Sequence, residues 1–414
     1  MTIPTEQLLN LPGIRVLQVN YDEKRLECEI ESTQDYALCH RCGQRATAFH
    51  GHDQVVRLRH LPVCGRSVVL WLRPKRYRCL HCEGRSTTTE QPTWYDGKSG
   101  VTTAFAEFLL LALVNSTVQD VACKHGVSYE RVRGLLSRYV RDEVDWSQFT
   151  ELRQLGLDEI ALLKGHGDFV TIVSAQNQVG QPQVLAVLQG REKKTVLAFL
   201  KTIPARLQAT IQEVCSDLYE GYLNAVEEAL PAARLVADRF HVTKLYRAAV
   251  DNLRKVEMKE LKELLKKEEY GYLKGVLWAL RKHSDDLEPE EKETLDLLFE
   301  ASPNLQRAYR LREKLTRLFD NEKHTKESGT QALRRWMSEV RNSGLDCFDK
   351  FLGTLEARLD IITNYFTNRT SSGWVEGLNN KIKVLKRRCY GLKNLPNLFR
   401  RIWLDLNGYE TFAH

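Results

Sequence analysis

Acidic side chains at widely separated positions are the groups of this sequence best suited to catalysis. Asp158 lies in the apolar segment Leu-Gly-Leu-Asp-Glu, Asp217 directly follows another apolar segment, and Glu376 lies in a helical pattern near the carboxyl end. Carboxylates that converge from distant segments can hold two Mg²⁺ ions roughly 3.5 to 4 Å apart, one activating the attacking oxygen and one stabilising the leaving oxygen. These three acids are therefore candidates for metal-dependent phosphoryl transfer.

Asp238 competes with Asp217 for the second of these positions. It also ends an apolar segment, Arg234 to Ala237, and it forms an Asp-x-x-His pattern with His241. As a metal ligand Asp238 would replace Asp217. As a structural group it would pair with His241 and anchor the following helix against the sheet. Strand order by itself leaves both assignments open.

Four cysteines form two Cys-x-x-Cys pairs: Cys39, Cys42, Cys79 and Cys82. In a cytosolic chain such pairs indicate a metal site rather than disulfides. Two tight turns that each supply two thiolates complete a tetrahedron around structural zinc, with Zn–S about 2.3 Å. The alternatives are a redox pair or unrelated cysteines, although thioredoxin-like motifs come singly. His40 and His81 lie inside the pairs and are weaker candidates as ligands.

Alternating apolar residues predict β structure around these cysteines. Residues 14–31 read as a hairpin, and three further strands precede the second cysteine pair. The segment from Glu83 to Gly100 is rich in Gly, Ser, Thr and Pro, which predicts a linker. We therefore expect a zinc-binding β module followed by a linker.

A helix-turn-helix is predicted between Thr117 and Tyr139. Apolar residues recur at helical spacing, Gly126 occupies the turn, and Ser128 caps the second helix. That second helix would present DNA-contacting side chains to the major groove, namely Tyr129, Arg131 and Arg133, with Arg138 also partly outward. An ordinary helical hairpin is the alternative.

The segment that carries the first acids changes to strand periodicity. Three strand-like runs begin near Leu152, Phe169 and Gln183, joined by turns at Lys164–Gly167 and Gln176–Gln181. A helix at about Lys193 to Leu207, a strand from Ile211 to Ser216, a second helix and a second strand follow. Three antiparallel strands followed by alternating helix and strand is the order of the ribonuclease H-like fold. In that topology the first and fourth strands are neighbours, so Asp158 and Asp217 can meet.

Glu376 lies on a predicted helix from Gly373 to Cys389 that has two faces. Its apolar stripe consists of Val375, Leu378, Ile382, Leu385 and Cys389. Its polar stripe consists of Glu376, Asn380, Lys383 and Arg387. Such a helix can pack on the sheet and offer one acid and two cations to DNA. A solvated amphipathic helix is the alternative.

Composition and charge agree with a globular protein that has an acidic partner. The chain has 414 residues, 43% of them hydrophobic and 28% charged, with a net charge of +7. These values exclude collagen-like, coiled-coil-only and wholly disordered classes. No apolar run approaches the roughly 20 residues of a membrane span, and no signal peptide is recognised, so we expect a cytosolic protein. From Trp374 to Leu404 the only acid is Glu376, and this basic stretch favours nucleic acid as a partner.

The order of these motifs resembles the ISL3 family of bacterial insertion-sequence transposases. The most specific blocks are Asp-Arg-Phe-His at Asp238 and Glu-Gly-Leu-Asn-Asn-Lys-Ile-Lys at Glu376. The resemblance implies a DDE transposase whose ribonuclease H-like core is interrupted by an all-helical insertion. It implies that Asp158, Asp217 and Glu376 hold two Mg²⁺ or Mn²⁺ ions, and its pattern favours a supporting role for Asp238 and His241.

The resemblance also predicts the organisation and the partners of the chain. We expect an α/β multidomain protein with these segments: a zinc-binding β domain (1–90), a helix-turn-helix (101–145), the first part of the core (151–242), a helical insertion (243–368) and the end of the core with the catalytic Glu (369–414). The partners would be double-stranded DNA, as terminal inverted repeats and as target, and a homodimer or higher synaptic complex. The protein would act in the bacterial cytoplasm, at the nucleoid. A DNA-binding regulator with an inactive core and a structure-specific nuclease are the competing functions.

Overall fold

A computed structural model describes residues 4–162, 169–176, 179–273, 275–370 and 373–413. Contacts divide the chain into two compact units. Unit 1 contains residues 1–142, 387–390 and 396–414, and unit 2 contains residues 143–386 and 391–395.

The amino-terminal part of unit 1 is mainly β structure. Its elements are α1 (Thr5–Leu9), β1 (Ile14–Tyr21), β2 (Arg25–Ser32), β3 (Ala37–Leu38), β4 (Arg45–Ala46), β5 (Ala48–His52), β6 (Val56–Val63), β7 (Arg66–Leu72), β8 (Lys75–Arg78) and β9 (Thr87–Thr89). They form a four-stranded sheet in the order β1-β2-β7-β6, a three-stranded sheet β5-β8-β9 and the short pair β3-β4. The predicted hairpin is confirmed, because β1 and β2 pair antiparallel from Ile14 opposite Ser32 to Tyr21 opposite Leu26.

The predicted linker from Glu83 to Gly100 is wrong. This segment contributes strand β9, and its aromatic side chains Trp94 and Tyr95 are buried in the core beneath the four-stranded sheet. The indole of Trp94 donates a hydrogen bond of 3.0 Å to the carbonyl of Pro12, and buried Glu90 accepts one from the Lys75 amide. Burial of two large aromatic side chains outweighs the turn-forming composition around them, so the segment is fixed in place.

Three helices of unit 1 form the predicted helix-turn-helix and its supporting helix. They are α2 (Thr103–Leu113), α3 (Val118–His125) and α4 (Tyr129–Tyr139). Thr117 and Ser128 cap α3 and α4 by accepting hydrogen bonds from backbone amides. Gly126 ends α3 with φ +59°, a left-handed conformation that favours glycine.

The last helix of the chain, α17 (Leu395–Phe412), packs against these helices. Buried Arg401 donates to the carbonyls of Leu113 and Ser116, and buried Asp405 accepts from the Asn115 amide. The segment 369–414, which the sequence suggested as one piece of the core, is therefore divided between the two units. An apolar stripe indicates that one face of a helix is buried, but it does not indicate which element covers that face.

Unit 2 is built on a five-stranded mixed sheet. Its elements are β10 (Gln154–Ala161), β11 (Phe169–Gln176), β12 (Pro182–Gln189), α5 (Lys193–Leu200), α6 (Ala205–Gln208), β13 (Glu213–Ser216), α7 (Glu220–Ala229) and β14 (Arg234–Ala237). The strand order is β12-β11-β10-β13-β14, with β10 to β12 antiparallel and β13 and β14 parallel to β10. The prediction that the first and fourth strands are neighbours is confirmed, because β10 pairs with β13. The predicted turn Lys164–Gly167 and part of the turn Gln176–Gln181 lie outside the described residues.

The single helix predicted from Lys193 to Leu207 is two helices. α5 ends at Leu200 and α6 begins at Ala205, directly after Pro204. Proline has no amide hydrogen to donate and its ring clashes with the preceding turn, so it begins a helix rather than continuing one.

The helical part of unit 2 follows β14. Its helices are α8 (Arg239–Leu264), α9 (Lys267–Tyr272), α10 (Val276–Ala279), α11 (Pro289–Ala301), α12 (Pro303–Asp320), α13 (Lys326–Asn342), α14 (Asp349–Thr363), α15 (Tyr365–Asn368) and α16 (Gly373–Arg388). Side chains of α8, α12, α13 and α14 share one core with the end of β14 around Trp336. This packing connects the helices directly to the sheet.

Candidate active site

Three aspartates follow one another across the sheet: Asp158 lies within β10, and Asp217 and Asp238 directly follow the parallel strands β13 and β14. Leu157 of β10 lies opposite Ser216 of β13, and Ser216 lies opposite Ala237 of β14. The next residue of each chain segment is an aspartate: Asp158, Asp217 and Asp238. Since neighbouring strands lie about 4.8 Å apart, the three aspartates form a row across the sheet.

Burial and repulsion from nearby acids raise the pKa of both aspartates of the predicted metal site, Asp158 and Asp217. Burial raises the pKa of Asp158 above its usual range, and the negative charges of Asp217 and Asp238 raise it further. Burial also raises the pKa of Asp217, and the charge of nearby Glu159 adds to this effect. Half-buried carboxylates that repel one another fit a divalent cation, which would offset both penalties with oxygen ligands of the kind that Mg²⁺ prefers.

Asp238 has both of its oxygens engaged by its own helix. One oxygen accepts from the Phe240 amide at 2.8 Å and caps α8, while the other contacts Nδ1 of His241 at 2.7 Å. The hydrogen bond with Asp238 raises the pKa of His241, and the charges of Asp158 and Asp217 act in the same direction. The imidazole therefore holds its proton more tightly than a free histidine does, beside the row of aspartates.

Helix α16 brings Asn379 to this row. The Asn379 side chain is buried, and its amide group donates a hydrogen bond to the carboxylate of Asp158. The other polar atom of the side chain, Oδ1, is buried and has no partner among the described residues. Sequence reasoning did not select Asn379, because it lies at the margin of the apolar stripe. The sequence signal that could have indicated Asn379 is its position in the Glu-Gly-Leu-Asn block, which begins at Glu376.

Glu376 lies in the first turn of α16 and is exposed. It precedes Asn379 by three residues, which places the two side chains about 60° apart around the helix axis. The contact between Asn379 and Asp158 thus brings the Glu376 end of the helix toward the first aspartate of the row. The predicted polar stripe is otherwise as expected, since Asn380, Lys383 and Arg387 are exposed.

Gly156 allows the start of α16 to approach strand β10 closely. A Cβ atom at this position would lie 2.5 Å from Cγ2 of Val375 and 2.9 Å from the ring of Trp374. Both distances are shorter than van der Waals contact, so any side chain at position 156 would displace the helix. Gly156 precedes Asp158 by two residues and lies on the same face of the strand.

A cation that sequence reasoning missed lies next to the aspartates. Arg191 donates to the Glu159 carboxylate at 3.0 Å, and its guanidinium lies 4.7 Å from the ring centre of Tyr219. Its positive charge lowers the pKa of Asp217, in opposition to burial. Arg191 follows β12 in a loop, and no periodicity could have associated it with Asp158 or Asp217.

The four cysteines of unit 1 form a cluster with the dimensions of a zinc site. The sulfur atoms of Cys39 and Cys82 lie 3.7 Å apart, as do those of Cys42 and Cys79, and all four lie within 4.8 Å of one another. A tetrahedron with Zn–S of about 2.3 Å has edges of about 3.8 Å. His40 is outside the cluster, and its Nδ1 contacts the Thr88 hydroxyl at 3.0 Å.

The thiols of this cluster interact strongly. The hydrogen bond with the Ser86 hydroxyl, together with the backbone amides of Cys42 and Arg41, lowers the pKa of Cys39 to about 5. Contact with Cys42 and the negative charge on Cys39 contribute to raising the pKa of Cys82 to about 12. The negative charge of one thiolate therefore disfavours ionisation of the next thiol. A dication between the sulfurs would compensate this repulsion. The geometry and the chemistry of the donors support a structural zinc.

Comparison with known proteins decides the family. A family model described as a transposase of the ISL3 type matches residues 155–402, which is more than half of the chain. The chain belongs to the ISL3 family of transposases. The model for the family's helix-turn-helix domain matches residues 90–140, and the zinc-finger model of the IS204/IS1001/IS1096/IS1165 transposases matches residues 35–82.

Two curated relatives of this ISL3 transposase match over most of its length. The transposase for insertion sequence element IS1001 of Bordetella parapertussis is 29% identical over 401 residues, which are 96% of each chain. The transposase for insertion sequence element IS1557 of Mycobacterium tuberculosis is 25% identical over 392 residues, which are 90% of this chain and 86% of the relative. The resemblance inferred from the motifs is confirmed.

The ISL3 helix-turn-helix exposes the side chains expected on α4. Tyr129 is exposed and Arg131 is half-buried, while exposed Arg133 lies 3.5 Å from Glu130 in an ion pair. Arg138 is less available to DNA because it forms an ion pair with Asp96. Among the described residues of the transposase, no helix is both long and apolar enough to cross a membrane.

Proposed function

We propose that this transposase cuts and joins DNA at the row of aspartates, with Asp158, Asp217 and Glu376 as ligands of two Mg²⁺ or Mn²⁺ ions. The observation that carries the proposal is the row itself. The carboxyl groups of Asp158 and Asp217 follow paired positions of adjacent strands, and burial and repulsion raise the pKa of both. When bound there, the metal ions would supply an activated oxygen nucleophile and stabilise the leaving oxygen.

The surrounding residues orient the aspartates of the proposed metal site and partly compensate their negative charge. Asn379 holds the Asp158 carboxylate by a hydrogen bond, while the second oxygen of Asp158 accepts from the Glu159 amide at 2.7 Å. Asp238 caps α8 and fixes the His241 imidazole, so we assign both a supporting role. When protonated, His241 would partly compensate the charge of the aspartates, and the raised pKa of its imidazole favours that form.

The strand order supports a ribonuclease H-like catalytic core. Three antiparallel strands are followed by two parallel strands on the far side of β10, and the helical region lies between β14 and α16. This arrangement brings Asp158 of β10 next to the residues that follow β13 and β14, so that one DNA backbone can reach all three positions. The helical region would be an insertion between Asp217 and Glu376.

Unit 1 would bind the terminal inverted repeats of the element. Its helix-turn-helix can place Tyr129, Arg131 and Arg133 at base edges and phosphates. On α16, Asn380, Lys383 and Arg387 are exposed and can contact the DNA backbone close to Glu376. The two joined ends require a homodimer or a larger synaptic complex, which would act on DNA of the bacterial nucleoid.

Single substitutions of the four acids test this assignment on a plasmid that carries the element's own ends. We expect Asp158→Asn, Asp217→Asn and Glu376→Gln each to lower metal-dependent strand cleavage by orders of magnitude while specific DNA binding persists. Asp238→Asn should retain measurable cleavage. Cleavage by Asp217→Asn with none by Asp238→Asn would assign the second metal position to Asp238. A wild-type protein that binds the ends but never cuts them in Mg²⁺ or Mn²⁺ would be a regulator instead.

A further inference from the structure

Two helices of the insertion flank a basic cleft outside the row of aspartates. The cleft has a volume of about 630 Å³ and lies between α12 and α13. Its charged lining side chains are Arg307, Arg310, Lys314, Arg335 and Glu339. Four cations face one acid, so the cleft has an excess of positive charge.

Several cations on the neighbouring surface of the same helices are paired with acids. Arg317 pairs with Asp285, Lys326 with Asp360 and Arg341 with Glu356. Among the cations that line the cleft, Lys314 alone has an acidic partner within the described residues, namely Glu339. Arg310 and Arg335 are exposed, and neither forms an ion pair within the described part of the chain.

Arg307 is held at the edge of this cleft by hydrogen bonds. Its guanidinium donates to the carbonyl of Ser343 at 3.0 Å and to the side chain of Asn304 at 2.6 Å. These acceptors orient the group without an opposing full charge. The positive charge of the cleft therefore remains available to an anion from outside.

The spacing of the cations along α12 favours an extended anion over a small one. Arg307 and Lys314 lie seven residues apart on one face of α12, which is about 10 Å along the helix. Phosphates follow one another along the backbone of a DNA strand, so cations spread over this length can contact successive phosphates. A single small anion would contact only the cations nearest to it.

We propose that this cleft is a sequence-independent contact for the DNA backbone, separate from the helix-turn-helix and from α16. The inference rests on the proposed action on DNA, and it adds that the helical insertion itself binds the backbone of the duplex. Its contribution is electrostatic, so it reads no bases and weakens with salt.

A salt titration with a short duplex of arbitrary sequence tests the cleft. The Arg310→Ala/Arg335→Ala double variant should bind the duplex more weakly, and the slope of log K against log salt should flatten by about 2. The Arg310→Lys/Arg335→Lys double variant keeps both charges and should retain the wild-type slope. Arg334→Ala is the matched control, because Arg334 is exposed on α13 directly beside Arg335 but does not line the cleft.

The outcomes separate this inference from the proposed function. A slope in Arg310→Ala/Arg335→Ala equal to that of wild type and Arg334→Ala would overturn the cleft as a DNA contact, even if cleavage of the element's ends is normal. A change in self-association without a change in DNA affinity would also overturn it, since the cleft would then face a protein. Loss of DNA affinity, with cleavage of saturating DNA retained, is the expected result.

Discussion

Asn379 donates its side-chain amide to the carboxylate of Asp158 across a sequence separation of 221 residues. This hydrogen bond connects helix α16, which carries Glu376, to strand β10, which carries the first aspartate of the row. Both partners are largely removed from water, and hydrogen bonds to charged groups are worth about 1.5–3 kcal/mol. The contact therefore controls where the two ends of the proposed metal site lie relative to each other.

Loss of this contact should impair chemistry more than DNA binding. We expect Asn379→Ala to lower the rate of metal-dependent cleavage about 10- to 100-fold, since 1.4 kcal/mol corresponds to a factor of ten. Asn379→Asp should be worse, because it places a second carboxylate against Asp158. Neighbouring Asn380→Ala should weaken DNA binding and leave cleavage at saturating DNA unchanged. Equal cleavage by wild type and Asn379→Ala would show that the hydrogen bond has no part in the reaction.

A methyl group on Gly156 should displace the start of α16. Its Cβ would overlap Val375 and Trp374, so we expect Gly156→Ala to destabilise unit 2 by about 1–3 kcal/mol and to reduce cleavage. Gly377→Ala on α16 itself is the control, because a Cβ there meets no atom within 4 Å. It should be neutral or stabilising by up to about 1 kcal/mol. Thermal melts and cleavage assays on both variants measure the difference, and equal behaviour would exclude the close approach.

The raised pKa of Asp217 predicts how stability depends on pH and on metal. Because burial makes the folded protein bind this proton more tightly than the unfolded chain does, stability decreases as pH rises from the usual carboxyl pKa through the raised value. Without divalent ions at neutral pH, Asp217→Asn should therefore melt at a higher temperature than wild type. The difference should vanish at pH values below the usual carboxyl range.

Added Mg²⁺ completes this test. It should raise the melting temperature of the wild type and have a smaller effect on Asp217→Asn, which lacks one proposed ligand. Asp296→Asn removes an exposed acid from α11 and should match wild type throughout. If Asp217→Asn is less stable than wild type in chelator at neutral pH, the carboxylate is stabilised by groups other than a metal.

The cysteine cluster should bind about one zinc ion per chain and depend on it for folding. Cys79→Ser removes a buried ligand, so metal analysis should find the zinc lost and thermal melts should show an early transition of the amino-terminal module. Cys64→Ser is the control, since Cys64 is exposed and outside the cluster. Protein purified without chelator that contains no zinc would contradict the assignment.

Local patterns in the sequence determined several parts of this protein. Cys39 and Cys42 lie on one tight turn, so their spacing alone indicates that both thiolates bind the same metal ion. Short strand-like runs directly precede Asp217 and Asp238, and parallel strands of one sheet bring their carboxyl ends to the same edge. Gly126 and Ser128 mark the turn and the cap between α3 and α4, because only a few residue types satisfy those backbone geometries.

The tertiary structure decided which surfaces meet. Periodicity predicted that α16 buries one face, but only packing placed Trp374 against Gly156. Packing also placed Arg401 of α17 against the carbonyl of Leu113. It also buried Trp94 within a segment whose composition indicated a linker, and it brought Asn379 to Asp158. These contacts depend on the sum of many long-range burial energies, whereas composition and periodicity record only the preferences of a residue and its near neighbours along the chain.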